Sequence, residues 1–161
     1  MTTVISHFSA LRAIRRARRA YSALPWGIID DRQQAQALAS CVPNKDAIDF
    51  VALAMLDAWS EDDSERLDLL VAGGNNRRPD GRLLQHSVTA PLPAEAIMHI
   101  EADIYATSPA MTAMLCSRNE PVAKVLMLLM ELLGSYSLPP EITNPIAHDD
   151  TWPKAGSSEA M

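Results

Sequence analysis

The chain has 161 residues, a formal net charge of −6 and 48% apolar residues. That length suits one domain with one core, and that apolar share excludes a disordered chain. Net acidity excludes bulk attraction to nucleic acid or to an anionic membrane, so any such contact must be local.

Ser6 is placed to N-cap a helix over residues 7–21, whose apolar stripe is Ala10, Leu11, Ile14, Ala17 and Tyr21. Five arginines fall within eight residues of this helix, and no Asp or Glu occurs in the first 29 positions. An acid-free, arginine-rich start has the composition of a mitochondrial leader. The helical spacing of its apolar residues gives it a more local explanation. Arg12, Arg15, Arg16 and Arg19 lie off the stripe, while Arg18 lies nearer to it and is expected to meet a carboxylate inside the protein. Pro25 ends the segment, because a helix cannot run through it, and Leu24-Pro25-Trp26-Gly27 reads as a turn with a packed Trp26.

A second helix is predicted over 31–39 and a third over 46–59, separated by Pro43-Asn44. Residues 60–66 form a polar loop. The character then changes. Residues 67–72, LDLLVA, read as a strand, and 82–90 as another with Leu84, His86 and Val88 on one face. The glycine-rich GGNNRRPDG between them reads as the loop of a long hairpin. Two further strands flank the turn Glu101-Ala102-Asp103. Ser108 and Pro109 are an N-cap and a first helical residue. The helix they open carries Met111, Met114, Leu115 and Arg118. A last helix over 122–134 is apolar almost all round, and Leu126, Leu129 and Leu133 are expected to be buried. The expected fold class is α+β: N-terminal helices, a small central sheet of about four short strands, and two C-terminal helices. Residues 1–140 form the domain, and 141–161, rich in Pro, Ser, Asp and Gly, are expected to be a loosely attached tail.

Cys41 and Cys116 are too few for a disulfide framework and read as reduced, buried thiols of a cytoplasmic protein. The longest apolar run, 125–130, is far too short to span a bilayer, so no membrane contact is expected. Arg12, Arg15, Arg16 and Arg19 could track phosphates. The plainer reading is a solvated helix face paired with acids between Asp57 and Asp68. Arg77 and Arg78 could cradle a phosphate, but no Gly-Lys-Ser/Thr follows and the hairpin loop is the plainer reading. These six arginines are the candidate contacts to nucleic acid or to a protein partner. His7, His86, His99 and His148 show no metal-ligand spacing, and His7 and His86 read as structural histidines. No nucleophile elbow is present. No catalytic residue, metal or cofactor is therefore predicted.

Several stretches together resemble one known family. SHFSAL at 6–11, LDLLVAGGNNRRPDG at 67–81, RLLQHS at 82–87, IYATSPAMTAMLCS at 104–117 and MELLGSYSLPP at 130–140 are similar to segments of AbiEi-type proteins, the antitoxins of type IV toxin–antitoxin systems. The resemblance covers about residues 5–140. It implies the middle or core domain of such a protein, with a non-enzymatic regulatory or interaction role in a toxin–antitoxin or defence context. The family's winged helix–turn–helix, which binds operator DNA, would precede the Ser-His motif and is not carried by this chain. Two other roles remain open at this point: the truncated accessory half of a nuclease-like protein, and a small nucleic-acid-binding module using the arginine helix.

Overall fold

The computed structural model describes residues 1–21, 23–61, 66–73, 81–118 and 120–132. In chain order the elements are β1 (Thr3–Ile5), α1 (His7–Ala20), β2 (Gly27–Ile28), α2 (Asp31–Ser40), α3 (Phe50–Met55), β3 (Leu67–Ala72), β4 (Leu83–Val88), β5 (Ile97–Glu101), β6 (Ile104–Thr107), α4 (Pro109–Cys116) and α5 (Val122–Leu132). The strands make one mixed sheet in the order β2-β5-β6-β1-β3-β4. The fold is α+β, as expected, with two more strands than the sequence suggested.

The extra strands are short. β1 holds three β-branched residues, Thr3, Val4 and Ile5, which suit a buried pleated surface. It is the hinge of the sheet, parallel to β6 (Val4↔Tyr105) and antiparallel to β3 (Ile5↔Leu69). β2 has only two residues and lies at one edge, antiparallel to β5.

The second departure concerns β3 and β4. They are parallel neighbours, with Leu67 opposite Leu83 and Ala72 opposite Val88. A hairpin reverses the chain and makes antiparallel neighbours only. The segment between β3 and β4, residues 73–82, is therefore not the loop of a two-stranded hairpin. Its residues 74–80, with Arg77 and Arg78, lie outside the described residues.

Strand alternation divides the core in two. Ile5 and Leu69 face a cluster built with Ala10, Leu11 and Ile14 of α1, Leu53 of α3, Ala113 of α4 and Leu128 and Leu132 of α5. Val4 and Leu70 face the other way, against Ala37 and Leu38 of α2 and Cys41. The sheet is thus covered on both sides. Trp26 is buried in the first cluster, as its packed turn predicted.

Helix ends follow local chemistry. Asp30 caps α2 reciprocally with Gln33: the Gln33 N–H donates to Asp30 Oδ1 at 2.7 Å, and the Asp30 N–H donates to Gln33 Oε1 at 2.9 Å. The helix predicted over 46–59 is instead a 3-10 turn at Lys45–Ala47 followed by the six-residue α3. Asn44 and Asp49 each accept a backbone N–H two or three residues on, and these local bonds divide the segment. Ser108 and Pro109 open α4 as predicted, and α4 ends at Cys116, before Arg118.

α5 is not buried all round. Leu128 and Leu132 are 3% and 1% exposed, Leu129 is half-buried, and Leu126 is 54% exposed in a stripe with Val122 and Met130. Among the described residues only one face of α5 finds a partner. Leu133 and the tail lie outside the described residues.

Candidate functional site

The arginine helix is held from both sides. Arg12 Nη2 donates to the Ala58 carbonyl at 2.8 Å, and Arg16 Nε donates to the Met55 carbonyl at 2.9 Å, so both grip the end of α3 and the residues after it. Arg15 reaches the other way. Its Nε and Nη2 donate to the two carboxylate oxygens of Glu131 at 2.6 and 2.7 Å, with both side chains largely buried. Arg18 donates to the backbone carbonyls of Glu131 and Leu132 at 2.5 Å each. Arg18 therefore hydrogen-bonds the last described carbonyls of α5, a favourable place for a cation, and the charge of the Glu131 carboxylate also acts on it, as expected of an internal partner. Arg19 is exposed. Among the described residues Arg12 and Arg16 thus meet carbonyls, which a helix end leaves unpaired at that point; Asp62, Asp63 and Glu65, among the acids expected to pair with this face, lie outside the described residues.

A second constellation gathers where β1 runs into α1. Ser6 is extended and His7, the first residue of α1, has φ of 46°, in the left-handed region that a branched chain rarely visits. Ser6 occupies the N-cap position without a side-chain capping bond. Its hydroxyl instead lies 3.0 Å from His7 Nδ1. The Ser6 N–H donates to the Asp68 carbonyl at 3.0 Å, and the Asp68 N–H donates to Ser9 Oγ at 3.0 Å. These bonds fix the start of α1 against β3.

The turn brings His7 onto His86 of β4. The two imidazoles stack with centroids 3.6 Å apart and planes 20° apart. His86 Nε2 lies 2.8 Å from Asp68 Oδ1, and the carboxylate side chain is 7% exposed. An ionised carboxylate only accepts, so Nε2 carries the proton of this bond. The Asp68–His86 pair follows from parallel register: Leu70 stands opposite His86, and Asp68 precedes Leu70 by two residues on the same face. His7, Asp68 and His86 each offer one donor atom, and these atoms lie within 4.8 Å of one another.

Burial, the neighbouring His86 and Arg118 hold the His7 imidazole down at about 4, against a smaller opposing pull from Asp68. His7 is therefore neutral near pH 7, as a stacked imidazole beside a second one needs to be. Burial, with the Asp68 charge, pushes the Cys116 thiol up to about 12, and burial raises Cys41 as well. Both thiols are unpaired and buried, matching the reduced reading. A shallow apolar groove of about 440 Å³ lies elsewhere, between Ile28, Pro93, Met98, Met111 and Met114.

Sequence spacing alone did not reveal this cluster. His7, Asp68 and His86 come from three elements, and no local motif contains two of them. The available signal was the strand reading that put Leu84, His86 and Val88 on one face. Parallel pairing would have added Asp68 to that face. His99 and Tyr105 form a separate tilted ring contact. His148 lies outside the described residues, as do Arg77 and Arg78. No helix among the described residues is long and apolar enough to cross a membrane. No protein-family model, curated protein or solved structure matches the chain.

Proposed function

We propose that the chain is a non-enzymatic regulatory or interaction domain, of the kind its sequence resembles at the core of AbiEi-like antitoxins, acting in the cytoplasm on a protein partner. The observation that carries this reading is the disposition of the arginine helix. Arg12, Arg15, Arg16 and Arg18 all donate to groups of α3, α5 and the residue Ala58. A helix whose cations hold the fold together supports a scaffold that presents a surface to a partner. It gives less support to a phosphate-tracking module, which needs those cations turned outward. The cytoplasmic placement is supported by two buried, unpaired thiols.

The test starts from the gene beside this one. If that gene encodes a nucleotidyltransferase toxic on expression, co-expression of this chain should relieve the growth arrest. A toxic neighbour that this chain leaves fully toxic would overturn the antitoxin reading. A restriction-endonuclease-like fragment in that position would favour the accessory half of a nuclease-like protein.

A further inference from the structure

The geometry points to His7, Asp68 and His86 as the protein ligands of one divalent transition-metal ion of the zinc class. Two imidazoles and a carboxylate are a donor set that zinc and its neighbours accept and that hard magnesium does not favour. Each donor comes from a separate element whose backbone is fixed. Asp68 and His86 are set by the parallel ladder of β3 and β4. His7 is held in a left-handed conformation by the Ser6–Asp68 and Ser9–Asp68 bonds, and such strain persists only where the surroundings enforce it. The carboxylate is buried, and among the described residues His86 is the one side chain hydrogen-bonded to it.

The donors are close to a coordinating arrangement without being in one. They lie up to 4.8 Å apart, and ligands at ~2.1 Å from a common ion stand at most ~4.2 Å apart. Stacked rings also cannot both aim an in-plane lone pair at one ion. Uptake must therefore unstack the imidazoles, a movement of side-chain torsions that leaves the backbone in place. If His86 binds through Nε2, the proton now shared with Asp68 moves to Nδ1 or to solvent, freeing both the nitrogen lone pair and the carboxylate oxygen. His7 offers one ring nitrogen to the same space. The His86 side chain is 28% exposed, so an ion has a route in and water can fill its remaining positions.

The full-length protein, stripped with chelator, should be titrated with Zn²⁺ by calorimetry and followed by NMR of its imidazole nitrogens. We expect one ion per chain, with the His7 and His86 ring signals moving together, and His99 and His148 unmoved. Mg²⁺ in excess should move none of them. Co²⁺ should give the visible absorption of a low-coordinate site. His86→Gln should weaken Zn²⁺ binding by about a hundredfold or more, since loss of a ligand exceeds the tenfold to hundredfold effects of outer-shell partners. Failure to bind, ring shifts confined to His99 or His148, or wild-type affinity in a folded His86→Gln variant would each overturn the assignment. Should that variant not fold, the ring signals of the wild-type protein decide the matter alone.

Discussion

Arg15 and Glu131, separated by 116 positions in sequence, form a two-pronged ion pair with side chains 11% and 14% exposed. The fork of the guanidinium matches the carboxylate, so both bonds form at once. Removing one partner takes both of these bonds from a largely buried charge. Glu131→Gln should therefore destabilise the protein by about 2 kcal/mol, within the range for losing a charged hydrogen bond. Arg15→Lys should cost nearly as much, because an ammonium cannot make the fork. Urea unfolding midpoints measure both, and a change under ~0.5 kcal/mol for Glu131→Gln, the scale of an ordinary surface substitution, would show that the pair contributes nothing.

The arginines divide into those that build the fold and one that does not. Arg12→Gln and Arg16→Gln each remove a donor from a carbonyl near the end of α3 and should lower stability by about 1 kcal/mol. Arg19→Gln, at an exposed position, should be neutral. A solvated helix face, the plainer reading of the sequence, would tolerate replacing Arg12, Arg15, Arg16 and Arg19 together. The contacts now predict that such a variant loses stability. Labelled duplex titrated at two salt concentrations should show no salt-sensitive binding. A slope of log K against log salt near −0.9 per phosphate contacted would reverse this.

On α5 the leucines should separate by face. Leu128→Ala and Leu132→Ala remove side chains from the core and should each cost about 2–5 kcal/mol. Leu126→Ala should change stability by less than about 0.5 kcal/mol, because its side chain is 54% exposed. Thermal unfolding of the three variants, compared side by side, checks the order. Equal losses at Leu126 and Leu128 would mean that the exposed stripe is covered.

The two thiols should be inert in the folded state. Burial raises both, Cys116 to about 12, so the thiolate that reacts with alkylating agents is scarce and shielded near pH 8. Modification by iodoacetamide should track global unfolding in denaturant. Rapid labelling of Cys116 in native buffer would show that the region around Asp68 opens on its own.

Much of this fold was legible because its strongest elements are self-contained. The Ser-Pro start of α4, the turn between β5 and β6, and the apolar period of α1 all declare themselves within a few residues. β1 and β2 did not, because strands of three and two residues carry too little alternation to separate from loop. The third helix was overextended, because Asn44 and Asp49 compete for backbone N–H groups in a way that apolar period ignores. The His7–Asp68–His86 cluster was the least legible feature. It depends on β3 and β4 running parallel, and strand direction is a tertiary property that no window of sequence holds.

The central place of β1 orders events in time. Val4 and Ile5 need β3 on one side and β6 on the other, with Thr3 opposite Ile104. Until Thr107 has been made, the middle of the sheet has a gap that β1, an earlier segment, must wait to fill. Local hairpins and helices can assemble before then, but the two halves of the sheet join only when β1 seats between them. Cooperative folding therefore waits on pairings distant in sequence, and the nascent chain carries Val4 and Ile5 in need of protection until β6 emerges.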